Sequence, residues 1–360
     1  MTGDANRPKA LALVSGGLDS SLAVRVLLEQ GVPVTALHFV SVFSGGQTAD
    51  GRLRARAVAD ELGVPLVVRD ATPAMLEFVP KPRFGWGKHL NPCLDCHSFQ
   101  IAVAMQMLEE TGASFVATGE VLGQRPMSQN RESLGRVSKA SAPNGLLLRP
   151  LSALALDPTI PEEKGWVDRS RLLGISGRSR SEQNALAEKW GLKEHGAPAG
   201  GCLLTDPQFA WKLQDLLNWE YSDGDPLDAG DVHLLKIGRH FRLDSGSRVV
   251  VGRNEGENAK VLSLARPGDW VFVAAAGSSP ETLLRSAGDA SAEDTVAAAR
   301  LTARFSKHRG LDKVEIIARP VRAAGEEGVW RASASEERRL AVAPADEELV
   351  RSRAIRRSGT

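Results

Sequence analysis

The residues Ser15-Gly16-Gly17-Leu18-Asp19-Ser20-Ser21 lie between an apolar run, Ala10–Val14, and a helix-compatible pattern over Ser20–Gln30 that Gly31 stops. A glycine-rich turn between a buried strand and a helix start suits a phosphate site. Glycines let the backbone approach an anion closely, and the first N–H groups of a helix point outward without intrahelical partners. Ser15, Gly16, Gly17, Ser20 and Ser21 are the expected phosphate-contacting residues, with the helix dipole adding a favourable field. Asp19 can cap that helix or help hold a bridging Mg²⁺. The loop lacks the Gly-Lys-Ser/Thr of a Walker A sequence and is not Gly-x-Gly-x-x-Gly. The same residues also suit a simple Asp- or Ser-capped helix after a tight turn.

The sequence has 3 cysteines, Cys93, Cys96 and Cys202. An odd count argues against a disulfide framework, and the Cys-x-x-Cys spacing in Asn91-Pro92-Cys93-Leu94-Asp95-Cys96-His97 points to metal, cluster or thiol chemistry. Three readings stand. One is a structural zinc on Cys93, Cys96 and His97 plus a fourth ligand, although adjacent Cys96 and His97 reach one tetrahedral ion poorly. The second is a persulfide on one thiol resolved by another. The third is an iron–sulfur cluster on three thiolates with one iron open. Asp95 is by default a solvated turn residue, with acid/base and capping roles as alternatives.

The elements that must position these residues alternate. Strands are expected at Ala10–Val14, Val34–Val40, Pro65–Val68 and Phe115–Ala117, and helices at Ser20–Gln30, Arg52–Leu62, Phe99–Glu110 and Arg180–Trp190. That order implies βαβ units and an α/β fold with a doubly wound parallel sheet. Beyond Cys202 comes a helix, Asp206–Leu217, then short β-rich runs at His233–Ile237, Phe241–Leu243, Arg248–Val251 and Trp270–Ala274, then a loop and helix over Gly277–Glu293. We divide the 360 residues into a domain of residues 1–205, a smaller α+β domain of residues 206–340 and a tail, 341–360, poorly ordered at its extreme end. The net charge of +1 leaves no global basic bias, so any nucleic-acid surface must come from local clustering. Met1–Arg7 are polar and no apolar run approaches the length of a membrane span, which predicts a cytoplasmic protein without a membrane partner.

The Ser15–Ser20 loop resembles the PP-loop of the ATP pyrophosphatases, a family that includes tRNA thiolation enzymes, GMP synthetase and NAD synthetase. Thr118-Gly119-Glu120-Val121-Leu122-Gly123-Gln124 resembles the Gly-Glu-x-Leu-Gly-Gln segment of the tRNA 4-thiouridine synthases. The Asn91–His97 run and Pro198-Ala199-Gly200-Gly201-Cys202-Leu203-Leu204 resemble the paired cysteine sites of tRNA thiouridylases. His233–Leu243 and Val251–Asn258 resemble an NFACT-R, RNA-binding, domain. The resemblance implies ATP with Mg²⁺, the β,γ-pyrophosphate on Ser15–Ser21 and the adenine against the strand end near His38 and Phe39. It further implies Gly119 and Glu120 bordering the nucleotide or base pocket, Glu120 being alternatively a structural cap. Several members of the superfamily carry a [4Fe-4S] cluster on three cysteines, an arrangement that Cys93, Cys96 and Cys202 match. A cluster is favoured over a persulfide relay. The 4-thiouridine synthases place a THUMP domain before the PP-loop, whereas the loop here starts near the first residue, so their docking mode and target position are not carried over.

The function expected is ATP-dependent tRNA thiolation, with a uridine carbonyl oxygen adenylated and then replaced by sulfur from a sulfide or persulfide donor. An amide-forming PP-loop enzyme and a non-catalytic nucleotide- and RNA-binding protein are the alternatives. Three basic clusters are the candidate RNA surfaces. They are Lys236, Arg239, Arg242, Arg248 and Arg253; Arg304, Lys307, His308, Arg309 and Lys313; and Lys81, Arg83, Phe84, Trp86, Lys88 and His89. Each has the bland alternative of a solvated face.

Overall fold

The computed structural model describes residues 7–45, 53–193, 201–323, 330–332 and 336–355. It divides into two compact units, Met1–Thr205 and Asp206–Thr360. The start of the expected helix at Arg52, the residues Pro198, Ala199 and Gly200, and the last five residues of the expected tail lie outside the described residues.

The first unit is built on five parallel strands, β1 (Ala10–Leu13), β2 (Val34–Val40), β3 (Leu66–Asp70), β4 (Phe115–Ala117) and β5 (Leu147–Leu148). Their order is β3-β2-β1-β4-β5. The chain steps outward from β1 to β3, then returns to lay β4 on the other side of β1. Right-handed crossovers therefore put helices on both faces, which is the doubly wound architecture. β1 is apolar throughout and β2 carries only Thr35 and His38 as polar residues, and both strands are buried because they are covered on both sides. The core joins Ala10, Ala12, Val34 and Ala36 of the sheet to Leu22, Val26 and Leu27 of the Leu18–Glu29 helix and to Phe115. The reversal of strand order falls between β1 and β4, so a crevice opens beyond their carboxyl ends. The loops leaving those two strands are Ser15–Ser21 and Thr118–Gln124.

The second unit holds an antiparallel sheet of seven strands: β6 (Arg239–Arg242), β7 (Arg248–Val251), β8 (Trp270–Ala274), β9 (Thr282–Arg285), β10 (Val314–Ala323), β11 (Trp330–Ala332) and β12 (Arg338–Val342). The order is β11-β10-β8-β9-β7-β6, with β12 paired to β10. One face packs on the Ala292–Arg304 helix through Phe241, Phe272, Leu284 and Leu301. The other covers Val250, Val271 and Leu283 with Leu234 and Val261. This is the expected α+β domain, with corrections. His233–Ile237, read as a strand, is mostly the end of the Ala229–Leu235 helix, which Asp228 starts by accepting a hydrogen bond from the Asp231 amide at 3.1 Å. Its apolar residues Leu234 and Leu235 are fully buried, and a short apolar run does not by itself distinguish helix from strand. The Gly277–Glu293 segment contains strand β9, and the region from Ala341 carries the end of β12 and a Glu347–Arg353 helix. Among the described residues no helix is long and apolar enough to cross a membrane.

A buried ionic network holds the second unit together. Asp231, 0% exposed, accepts from Arg248, from Arg285 at 2.6 Å and from the Tyr221 hydroxyl at 2.9 Å. Burial by itself raises its pKa, but the charges of Arg248, Arg285 and Arg266 more than offset that and hold it at about 2, below its ordinary 3.8. The contribution to stability is therefore full above the ordinary value and is lost as pH falls towards 2. Asp231→Ala strands buried guanidinium groups and should cost about 3–5 kcal/mol. Urea unfolding of the full chain, followed at the second unit's transition, checks this, and a cost under about 1 kcal/mol would contradict it.

Candidate active site

The Ser15–Ser21 loop follows β1 directly. Gly16 has φ +81°, and a Cβ there would stand 2.9 Å from the Ala55 amide nitrogen at the start of the Arg54–Leu62 helix. Both facts require glycine. Ser20 and Ser21 donate their hydroxyls to the Gly17 carbonyl at 2.9 and 3.0 Å, and Ser15 Oγ lies 3.3 Å from Ser20 Oγ. The hydroxyl of Ser21, a residue only 1% exposed, is thus a fastener of the loop. Gly17 is the N-cap of the Leu18–Glu29 helix and no side chain caps it, which leaves the first-turn N–H groups available to an anion.

Asp19 does not cap the helix. Its Oδ2 accepts from Gln124 at 2.9 Å and from Arg180 at 3.2 Å, while its buried Oδ1 has no hydrogen-bond partner among the described residues. Gln124 is steadied in turn by the Gln183 amide at 3.0 Å. An anionic oxygen without a donor beside a phosphate loop is a place for a cation such as Mg²⁺. His38 Nδ1 donates to the Val14 carbonyl at 2.7 Å, and burial, partly offset by this bond, lowers its pKa. Phe39, its neighbour on β2, faces the other way and packs edge-on against Phe99 with ring centroids 6.0 Å apart. The two residues therefore lie on opposite faces of the sheet.

From β4 the chain comes straight back onto the loop. A Cβ on Gly119 would stand 2.6 Å from the Ser20 nitrogen and Cα. The next residue, Glu120, points inward instead of into an open pocket. It accepts from Arg149 Nε at 2.8 Å, from the Thr118 hydroxyl at 3.1 Å and pairs with His97 Nδ1 at 3.0 Å. Burial alone raises this carboxyl; the Arg149 charge and the His97 hydrogen bond overcome it and bring the pKa to about 2. Arg149 is fixed by Ser138 Oγ at 3.0 Å and the Leu134 carbonyl at 3.3 Å.

His97 leads to the cysteines. The helix that the sequence places at Phe99–Glu110 starts earlier, as Cys93–Gln106, so the thiols sit in its first turn. At i and i+3, Cys93 and Cys96 share a face. Cys93 Sγ donates to Asn91 Oδ1 at 3.3 Å, and Gln100 Nε2 donates to Cys96 Sγ at 3.2 Å. Cys202 arrives from far along the chain on a short antiparallel bridge to Ser44, with the Leu203 amide bonded to the Phe43 carbonyl at 3.0 Å. All three cysteines are free and half-buried. Burial first, then the charges of Cys202 and Cys93, push the Cys96 thiol up to about 12; burial first, offset in part by backbone amides, puts Cys202 at about 11. The three thiols are thus close enough for their charges to act on one another. Among the described residues, no three His, Cys, Asp or Glu side chains are arranged to hold a single metal ion, and His97 is turned to Glu120.

Asp95, between the thiols, receives the Arg83 and Phe84 amides at 2.8 and 3.1 Å and so pins the preceding loop. That loop holds Trp86 43% exposed while its indole N–H donates to the Val79 carbonyl at 2.8 Å. His89 and Leu90 both have positive φ, 58° and 64°, which L side chains rarely adopt and which functional loops often store. The basic run 236–253 is not one surface. Arg242 pairs with Glu220 at 3.1 Å and Arg248 is fully buried, while Arg239 and Arg253 are exposed. The sequence reading missed Arg149, Arg180 and Gln183. None lies in a recognisable motif, and Gln124 alone had a signal, as the last residue of the Thr118–Gln124 segment.

Gly119→Ala should lower nucleotide affinity about tenfold or more, because the loop backbone must move to admit the methyl group. Isothermal titration with ATP checks this beside Gly135→Ala, whose Cβ meets nothing within 4 Å and which should bind as the unmodified protein does. Equal affinities in the two variants would overturn the role given to Gly119.

Residues 5–160 match the family model described as Thiamine biosynthesis protein (ThiI), and residues 238–348 the one described as NFACT protein RNA binding domain. The tRNA-specific 2-thiouridylase MnmA of Sulfurimonas denitrificans is 35% identical over 118 residues, 32% of this chain and 35% of that protein's length. The tRNA-specific 2-thiouridylase MnmA of Agrobacterium fabrum is 27% identical over 290 residues, covering 74% of this chain and 68% of that one. The crystal structure of a 4-thiouridine synthetase–RNA complex with bound ATP aligns over 52% of each chain with 24% identity and a TM-score of 0.33. The chain is thus similar to the thiouridine-synthase and thiouridylase group of PP-loop proteins in its first unit, and to the NFACT RNA-binding domains in its second.

Proposed function

We propose that the protein is an ATP-dependent tRNA thiolase that adenylates a uridine carbonyl oxygen and then exchanges that oxygen for sulfur. The observation that carries this reading is the convergence of Cys93, Cys96 and Cys202 on a site joined to the phosphate loop through His97, Glu120 and Gly119. In this reading the Ser15–Ser20 backbone and the Leu18–Glu29 helix start hold the β,γ-pyrophosphate, and Asp19 Oδ1 faces Mg²⁺. Arg180, held beside Asp19, adds positive charge where pyrophosphate leaves. The adenine lies near the end of β2 on the face that carries His38, Phe39 facing the other side. The uridine oxygen attacks the α-phosphate, the bond to the β-phosphate breaks, and pyrophosphate departs. The oxygen is then part of AMP, a good leaving group; hydrosulfide displaces AMP and loses its proton to leave the thiocarbonyl, whereas with a persulfide donor a second thiol must also cleave the S–S bond and end as a disulfide.

The three thiols are a donor set suited to a cluster. A single zinc requires all its ligands about 2.3 Å from one centre, whereas a four-iron cluster spreads its thiolates over different irons. Cys93, Cys96 and Cys202 would hold a [4Fe-4S] cluster, whose unligated iron supplies a place to bind hydrosulfide. An amide-forming enzyme accounts for the loop but gives the three thiols no task. A protein that only senses nucleotide predicts ATP binding without pyrophosphate release.

The test uses anaerobically prepared full-length protein with ATP, a sulfide donor and unmodified tRNA. It should release pyrophosphate and form a thionucleoside, and carry iron and acid-labile sulfide. Cys202→Ala should lose at least about 99% of thionucleoside formation, about 2.7 kcal/mol in the barrier, while ATP affinity stays unchanged. No thiolated tRNA from the unmodified protein, together with a Cys202→Ala variant that behaves identically, would sink the reading.

A further inference from the structure

Trp86 is an exposed aromatic held in one orientation. The residue is 43% exposed, yet its Nε1 donates to the Val79 carbonyl at 2.8 Å, and Val79 is fully buried. That bond uses the only donor of the indole and ties one edge of the ring to the interior. What the side chain offers to solvent is therefore the apolar ring. A tryptophan in a folded protein ordinarily buries about 150–250 Å², and a ring braced outside the core forgoes much of that gain.

The loop that carries the ring is braced on both sides and lies at the thiols. Ahead of Trp86, the Asp95 carboxylate receives the Arg83 and Phe84 amides. Behind it, the Gly87 amide donates to the Asn91 carbonyl at 2.8 Å, and a Cβ on Gly87 would stand 2.5 Å from Asn91 Oδ1. That same oxygen receives the Cys93 thiol at 3.3 Å. Trp86 is thus the immediate neighbour of a residue packed against the partner of Cys93. The Lys88–Leu90 turn packs in turn on Leu203–Thr205, the turn that follows Cys202 directly. The loop therefore runs between the helix of Cys93 and Cys96 and the segment of Cys202. Cations flank the ring along the chain: Arg83, whose guanidinium lies 5.2 Å from the Phe84 ring centroid, and Lys88, both exposed. Arg125 adds a third positive charge at the thiols, since burial raises the Cys93 thiol and the Arg125 charge offsets part of that rise.

We propose that Trp86 is the platform on which the target uridine stacks while its carbonyl oxygen is exchanged, a positioning residue that takes no part in bond making. The proposal rests on the reading that the chain thiolates tRNA. A base must leave its stack in folded RNA before an enzyme can work on its ring atoms. The stacking it loses has to be replaced, and a fixed aromatic face replaces it for any base. Arg83 and Lys88, on either side of Trp86, suit the phosphates on either side of an extruded nucleotide. With its N–H committed to Val79, the indole cannot read a base edge, so the choice of uridine falls to other groups.

The experiment compares Trp86→Ala, Trp86→Leu and Trp86→Phe in the full-length protein, with unmodified tRNA as the probe. Trp86→Ala and Trp86→Leu should lower kcat/KM for thionucleoside formation about tenfold to a hundredfold, the loss of one base–aromatic stack, and Trp86→Phe by less than about threefold. ATP affinity and bound iron should match the unmodified protein in all three. A second readout needs no reaction. With a non-hydrolysable ATP analogue present, tRNA should quench the tryptophan fluorescence of the unmodified protein more than that of Trp86→Phe, because stacking on a base quenches an indole. Equal quenching overturns the proposal, as does a Trp86→Leu variant as active as Trp86→Phe. Loss of bound iron or of ATP affinity alongside the activity would make Trp86 a brace of the loop and overturn it too. A Trp86→Leu defect seen with a protein persulfide donor but absent with inorganic sulfide would assign the surface to the donor, with the same result. Trp86 quenching by tRNA without any thionucleoside from the unmodified protein would instead count against the proposed reaction and leave the platform standing.

Discussion

The first unit depends on one close approach. Gly119, leaving β4, lies so near the Ser20 backbone that no side chain fits between them. The cause is topological: β1 and β4 are neighbours in a parallel sheet, so the loops at their carboxyl ends must share one small space. The phosphate loop takes that space by folding its serine hydroxyls back onto Gly17. Its own donors are thereby occupied, and its outward-facing groups are backbone amides. The β4 loop contributes Gln124 to orient Asp19 and Glu120 to orient His97. One steric constraint therefore aligns the Ser15–Ser21 loop with the helix that carries Cys93 and Cys96.

Buried charge serves both units, with different results. Glu120 and Asp231 are each enclosed, and each carboxylate is kept ionised by arginines that outweigh the effect of burial. A paired buried charge adds little net stability over an apolar filling, yet it is costly to break, so it fixes geometry more than it adds strength. Around Asp231 the geometry fixed is that of strands β7 and β9, through Arg248 and Arg285. Around Glu120 it is the start of the cysteine helix, through His97. The loop before that helix is held by Asp95, and the strained His89–Leu90 pair brings the chain into Asn91, which receives the Cys93 thiol.

The sequence by itself determined the parallel α/β unit and its loop. Strongly apolar strands followed by amphipathic helices leave few alternatives, and a glycine pair before Asp-Ser-Ser marks where an anion can approach. It also marked the cysteines by spacing and by the absence of any partner for an odd thiol. It could not place His233–Ile237, where an apolar run fits a strand or a helix equally and the Asp228 cap decided for the helix. It read the cations of 236–253 as one surface, whereas the Asp231 network holds Arg248 inward within fully buried β7 and Arg253, beyond that strand's end, stays exposed. Only the tertiary structure could bring Cys202 to Cys96, Arg180 to Asp19 and Arg149 to Glu120, because contacts between distant segments leave no local periodicity to read. Local pattern follows from backbone geometry and burial, but the site is made where loops from separate strands meet.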